Sequence, residues 1–336
     1  MFVKVRSALV LLVAACCVAP LVSSSSLGTS LAQGPTTSAA QASPSLNPNP
    51  PSAPVRLVFI HHSTGEAWLA NGYGDLGIAL RNNNYYVSDT NYNWGPIAPG
   101  GAGIGSYTDI GNWWEWFRSP RSPIYLNALY TTSGHNAPYS RMPKVVPGQN
   151  QVVVFKSCFP NSALKGSPTD SIPPIANNPL RGQDSSSSNH TLANAKGIYL
   201  DLLQYFRTRQ DKLFILVTAP PLSDPTYATN ARALNQWLVN DYLQGYPYKN
   251  VFVFDYYNVL TTNGGNANTN DLGLSSGNHH RLWHNAIQHQ VAGNHNVTAF
   301  PTGDDHPSAA GDRKATAEFL PLLNIAYNAW RASAKG

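Results

Sequence analysis

Residues 55–65 read Val55-Arg56-Leu57-Val58-Phe59-Ile60-His61-His62-Ser63-Thr64-Gly65. A short apolar run breaks abruptly into two histidines, a serine and a glycine. A run that is apolar on both faces suits a strand covered by helices on each side. Four more runs follow, at 85–88, 151–155, 213–218 and 251–255. Three of them are equally rich in Val, Ile, Leu and Phe; 85–88 is weaker and reads as a strand or a loop.

Helical spacing lies between the runs. Leu192, Ala195, Tyr199, Leu202, Leu203 and Phe206 recur on one helix face, as do Ala231, Leu234, Trp237 and Leu238. A last helix is expected from Ser308 towards Trp330, with Pro321 ending or kinking it. Alternating strands and helices imply an open parallel sheet with helices on both faces. Ligands bind such sheets at the carboxyl ends of strands, where strand order reverses. Two long stretches, 89–148 and 261–302, interrupt the alternation and are rich in Gly and Asn. Loops of that length are functional or disordered, and their aromatic content favours function. There is no internal repeat.

Composition narrows the class. The chain has 336 residues, 42% hydrophobic, 11% aromatic and only 12% charged, with 26 Gly and 26 Pro. So little charge and so much Pro exclude a coiled coil. The aromatic content excludes an intrinsically disordered chain. No apolar run of about 20 residues follows the N-terminus, which excludes a multi-span membrane protein. A weakly charged, Asn/Ser/Thr/Tyr-rich surface suits an exported protein that handles neutral polar ligands.

The N-terminus has the parts of a secretory signal: Lys4 and Arg6, an apolar stretch over 8–22, and Ser30-Leu31-Ala32 for cleavage. A signal peptide over 1–32 is therefore expected, and a secreted or cell-surface location. A retained anchor is the alternative, as is a lipidated Cys16 in Val13-Ala14-Ala15-Cys16; either would tether the chain to a membrane. Residues 33–54 read as a disordered Pro/Ser/Thr-rich linker, and 55–334 as the domain. Without residues 1–54 the chain carries 20 Lys+Arg against 17 Asp+Glu, a net charge near +3. No Lys/Arg block occurs, so nucleic acid is not an expected partner. Cys16 and Cys17 lie in the leader, which leaves Cys158 alone and without an intramolecular disulfide.

Chemistry is expected just after the strands. Ser63 stands where the first strand turns into a helix, with backbone N–H groups that could hold an oxyanion; an N-cap serine is the plainer reading. The stretch is half a Gly-x-Ser-x-Gly elbow, since His61 replaces the first glycine. Near the end, Gly303-Asp304-Asp305-His306-Pro307-Ser308-Ala309-Ala310-Gly311 offers a base, His306, and a carboxylate to fix its tautomer, Asp304. Alone, that segment reads as a helix-capping turn.

Together, a serine after the first strand and a late Asp-His-Pro-Ser-x-x-Gly resemble the SGNH/GDSL hydrolase superfamily. The resemblance covers roughly residues 55–330 and is most specific over His306–Gly311. It implies a three-layer, flavodoxin-like α/β sandwich with a central, mostly parallel five-stranded sheet, here with long loop insertions. It implies a secreted serine esterase with Ser63 as nucleophile, His306 as base and no cofactor. The family's usual Gly-Asp-Ser is here His61-His62-Ser63. Its aspartate three residues before the histidine is here Gly303, so Asp304 takes the orienting role, ahead of Asp305. For the oxyanion, Asn161 in Phe159-Pro160-Asn161-Ser162 stands for the family asparagine, or is a turn residue after Pro160. Gly105 and Gly111 are the candidates for the family glycine. Thr218-Ala219-Pro220-Pro221-Leu222 and Asp255-Tyr256-Tyr257-Asn258 resemble later strand ends, with Asp255 structural.

Substrate binding is expected from Trp94, Tyr107, Trp113, Trp114 and Trp116, which could stack on sugar rings while the Asn residues bond hydroxyls. An O-acyl or O-acetyl carbohydrate, or a small-molecule ester, is the expected substrate. Alternatively, Trp113 and Trp116 form a small core beneath the loop.

Two rival functions remain open. His279, His280, His284, His289 and His295 could serve a metal-dependent hydrolase; His280 and His284 would share one helix face, although the His-Glu-x-x-His pattern is absent. The same scaffold could also be a non-catalytic carbohydrate-binding or surface protein. Lys156 and Arg181 could meet a substrate anion or be ordinary surface cations, and Cys158 reads as a buried thiol. Esterase and acyltransferase share the acyl-enzyme, and oligomeric state is left open.

Overall fold

The structure, a computed structural model, describes residues 46–261, 277–291 and 297–334. The expected signal peptide over 1–32, with Cys16, and His295 lie outside the described residues. In chain order the elements are β1 (Val55–Ile60), α1 (Ser63–Leu69), α2 (Leu76–Asn82), β2 (Tyr85–Thr90), α3 (Asn112–Phe117), α4 (Ser122–Thr131) and β3 (Val152–Lys156). There follow α5 (Leu192–Phe206), β4 (Leu213–Val217), α6 (Ala228–Asn240), β5 (Val251–Phe254), α7 (Tyr256–Leu260), β6 (His279–Trp283), β7 (Ala286–Gln290) and α8 (Ala309–Ser333).

The central sheet is five-stranded and parallel throughout, in the order β2-β1-β3-β4-β5. It is an α/β fold with helices on both faces. Strand alternation divides the apolar residues between two cores. Leu57 and Phe59 face α1, α2, α7 and α8, whereas Val58 and Ile60 face α3, α4, α5 and α6. Strand order reverses between β1 and β3, so the residues after these two strands border the crevice where such sheets bind ligands.

The weak run is a true strand. β2 extends to Thr90 and all six of its residues are buried. The long stretch 89–148 contains α3 and α4. Pro321 does not end the last helix: α8 runs through it from Ala309 to Ser333. Burial of Phe319, Leu322, Leu323 and Trp330 against the sheet anchors both sides of the proline, which outweighs one lost backbone bond. No helix among the described residues is long and apolar enough to cross a membrane.

Residues 46–54, expected in the linker, are held in place. Asn324 donates to the Pro48 carbonyl at 2.9 Å, Asn84 to that of Pro51 at 2.8 Å, and Asn328 to those of Asn47 and Asn49. The packed domain thus begins before Val55.

His280 and His284 do not share a helix face. β6 and β7 form an antiparallel hairpin whose two-residue turn is His284-Asn285, with φ of 47° and 60°. A two-residue hairpin turn of this hand needs positive φ at both positions, which Asn tolerates well. His280 is buried in β6, where its Nδ1 accepts the Asp255 N–H at 2.9 Å. Burial pushes its imidazole down to about 3.

Candidate active site

β1 delivers Ser63 to the first turn of α1. The loop before α8 delivers His306, and the two meet: Ser63 Oγ lies 2.8 Å from His306 Nε2. On the other side of the ring, Nδ1 is 3.1 Å from Asp304 Oδ2. Asp304 Oδ1 accepts the His306 backbone N–H and the Thr302 hydroxyl, each at 2.8 Å. These bonds, led by the His306 N–H, hold the Asp304 carboxyl below its ordinary range, although the residue is open to solvent. The Phe159 ring stands edge-on to His306 at 5.0 Å between centroids, and Tyr73 bonds the Pro307 carbonyl. Asp305 has a different role: it accepts the Ser223 N–H and hydroxyl, joining this loop to the segment after β4. The geometry therefore separates the two adjacent aspartates.

The two histidines before Ser63 support the site from below. His61 places its ring nitrogens on Asp89, at 3.1 Å, and on the His62 carbonyl, at 2.9 Å. His62 donates from Nε2 to the Gly105 carbonyl at 2.7 Å and accepts the Thr108 hydroxyl at Nδ1. Burial pushes the His62 imidazole down to about 4, so near neutral pH it is an uncharged strut between Ser63 and the 91–111 segment.

Two of the three oxyanion candidates, Gly105 and Asn161, are engaged elsewhere. The Gly105 N–H donates to the Trp94 carbonyl at 2.8 Å. A side chain at this position would strike the Asn91 carbonyl, so close chain approach explains the glycine. Asn161 is buried; its Oδ1 accepts the Ile110 N–H, and its Nδ2 donates to Asp109 at 2.7 Å and to the Cys158 carbonyl. It ties the turn after β3 to the 91–111 segment. Gly111 precedes α3 and packs against the carbonyls of Leu180 and Gln183, which leave no room for a Cβ. These contacts correct the expectation that Asn161 and Gly105 stand ready as free donors.

The aromatic candidates divide by depth. Trp113 and Trp116 are fully buried, with indole N–H bonds to the Ser157 hydroxyl and the Tyr107 carbonyl. They are core, not a sugar platform. Trp94 is half-buried and stacks on Trp116, and Tyr107 is also half-buried. Trp114 lies under the Arg181 guanidinium. Tyr92 is an exposed ring packed on the residue before the nucleophile, and the Asn- and Trp-rich sequence around it does not single it out. It is 58% exposed and stacks on His62 at 3.9 Å between centroids.

Lys156 and Arg181 are not surface cations free to meet a substrate. Lys156 is fully buried. Arg181 pairs with Asp201 at 2.7 Å. Cys158 is buried and free. Asp255 caps α7 and pairs with His289 at 2.8 Å, a structural role. His279 pairs with Glu318 at 2.6 Å. Among the described residues, no three His, Cys, Asp or Glu side chains converge as metal ligands.

No protein-family model matches the chain, and no curated protein matches it. Solved structures do. One is a family two carbohydrate esterase from Clostridium thermocellum in complex with cellohexaose: 15% identity, 84% of this chain and 66% of that chain covered, TM-score 0.37. Another is a carbohydrate esterase whose active site displays divergent catalytic and non-catalytic binding functions: 14% identity, 83% and 65% covered, TM-score 0.32. A third is an acetyl xylan esterase from the rumen bacterium Butyrivibrio proteoclasticus: 11% identity, 83% and 66% covered, TM-score 0.32. The chain spans just under two thirds of the length of each. At this level of similarity, only the site's own geometry bears on its chemistry.

Proposed function

We propose that this protein is a secreted serine esterase of the SGNH/GDSL kind that removes O-acyl groups, such as acetyl, from carbohydrates. The observation that carries the reading is the 2.8 Å contact between Ser63 Oγ and His306 Nε2, with Asp304 on the opposite ring nitrogen. A serine hydroxyl is a weak nucleophile until an adjacent base accepts its proton, and the base needs an acceptor to fix its tautomer. All three groups are in place.

His306 Nε2 takes the Ser63 proton as the oxygen attacks the ester carbonyl. The tetrahedral oxyanion forms beside the first turn of α1, where the Ser63 and Thr64 N–H groups come before Gly65 and Glu66, the first to donate within the helix, both to the His62 carbonyl. His306 then gives the proton to the departing sugar oxygen. Water, activated by the same nitrogen, releases the acid; a second sugar hydroxyl in its place would make the enzyme an acyltransferase. Tyr92 supports a carbohydrate as the alcohol, because an exposed ring stacked on His62, the residue before the nucleophile, offers its outer face for stacking. The Asn-rich segment around it supplies hydrogen-bonding groups for hydroxyls, and the leader's pattern supports export.

Ser63→Ala tests the reading. The variant should lose release of p-nitrophenol from p-nitrophenyl acetate, lose labelling by a fluorophosphonate probe, and keep its melting temperature. Unchanged turnover would sink the assignment. A wild type inert to both reagents that nonetheless binds glycans would make the protein a binding module.

A further inference from the structure

The last residue of β3 is a lysine with no exposure to solvent. Alternation along the strand sends Lys156 to the side of Val152 and Val154, the face that α1 and α8 cover. Its ammonium donates to the Thr64 hydroxyl and, at 3.3 Å, to the Ser157 carbonyl. The Cys158 thiol lies 4.0 Å from the ammonium and itself meets the Thr64 hydroxyl at 3.4 Å. Among the described residues, no carboxylate forms an ion pair with Lys156.

Such a charge opposes folding, because its hydration is lost and no counter-ion replaces it. Asp312 on α8 is the carboxyl whose charge it feels. That group bonds the Tyr256 hydroxyl, and burial pushes it up to about 7, so it offers at best partial compensation. Through its bond to the Thr64 hydroxyl, Lys156 brings its positive charge to the start of α1. Thr64, its hydrogen-bond partner, directly follows Ser63. A fold-destabilising cation linked to the residue beside the nucleophile makes sense where negative charge develops during reaction.

We infer that Lys156 is a positioning residue for Ser63: through Thr64 it fixes the first turn of α1, and its buried ammonium favours the oxyanion that forms there. The inference rests on the esterase reading above. The titratable groups that face it are Cys158 on its own loop, His62 before α1, Asp312 on α8 and, behind Asp312, Tyr256 on α7. Burial lowers the ammonium from its ordinary range. Its charge is thus lost as pH rises, and activity should fall with it on the alkaline side.

The test uses the full chain, p-nitrophenyl acetate and a fluorophosphonate probe. Lys156→Met keeps the length of the side chain and removes the charge. It should lower kcat and the probe-labelling rate at least about tenfold at pH 7, leave KM within about twofold, and abolish the alkaline decline. Its melting temperature should equal or exceed that of the wild type, because a buried charge is gone. Thr64→Val cuts the link but leaves the charge, so it should lose part of kcat and keep the alkaline decline. Cys158→Ala should also keep that decline, which separates the ammonium from the thiol. The inference fails if Lys156→Met labels as fast as the wild type, if its alkaline decline persists, or if its loss of rate follows a loss of melting temperature. A wild type inert to both reagents removes the esterase reading and this inference with it. A reactive wild type with an equally reactive Met variant removes this inference alone.

Discussion

The Ser63 hydroxyl and the His306 imidazole meet at 2.8 Å across 243 residues of chain. Two elements on the same face of the sheet make this possible: α1 leaves the end of β1, and α8 packs beside it. The loop before α8 is then held at the end of β1 by Tyr73 on the Pro307 carbonyl and by Ser223 on Asp305. Neither partner needs to move for a proton to pass between them.

Removing the base should be far more damaging than weakening its support. His306→Gln should lower kcat about 10³-fold or more, since a positioned base and its nucleophile act as a unit. Asp304→Asn should lower it about ten- to a hundredfold, less than for a buried triad carboxylate, because the Asp304 side chain is 66% exposed and screened by water. Equal losses in the two variants, measured with p-nitrophenyl acetate, would show that Asp304 does more than orient the ring.

Tyr92 and Trp113 should separate substrate binding from packing. Tyr92→Ala should raise KM for an acetylated oligosaccharide about tenfold, the size of one lost stacking contact, and change p-nitrophenyl acetate turnover about twofold or less. Trp113→Ala should lower stability by about 3–5 kcal/mol in chemical denaturation, because it empties a fully buried site and leaves the Ser157 hydroxyl without its partner. A destabilised Tyr92→Ala protein with unchanged glycan KM would place Tyr92 with the core instead.

Asp312 should make stability depend on pH. Burial raises its carboxyl to about 7, against the opposing pull of the Tyr256 hydroxyl and Lys156. The folded state therefore holds the proton more tightly than the unfolded chain, whose carboxyl titrates near 4. The contribution is fully present below about pH 4 and is lost as pH rises through 7. Asp312→Asn should flatten this trend and raise stability at pH 8 by at most roughly 4 kcal/mol relative to the wild type. Parallel stability–pH curves for the two proteins between pH 4 and 8 would refute it.

Much of the fold was legible because its signals are local. Runs apolar on both faces marked β1, β3, β4 and β5 as buried parallel strands, and spacing marked α5 and α6. The 85–88 run was ambiguous because its burial comes from neighbours on both faces, Arg141 beside Tyr86 among them, and not from its own hydrophobicity. The hairpin of β6 and β7 was hidden for a related reason. His280 and His284 fit a helix by spacing, but two positive φ angles at His284 and Asn285 are stabilised only by the pairing on either side.

The same division runs through the site. By itself the sequence determined that a serine follows the first strand and that an Asp-x-His precedes the last helix, because residue order and strand ends are properties of the chain. Tertiary structure decided what those residues touch. It placed His306 and not His61 or His62 on Ser63, turned Tyr92 outward and Trp113 inward, and spent the Asn161 amide on Asp109. It also buried Lys156 beneath α1. The physical reason is that a polar side chain's role depends on whether water or protein supplies its partner, and the direction in which a strand-end residue points is settled by the helices that close over it.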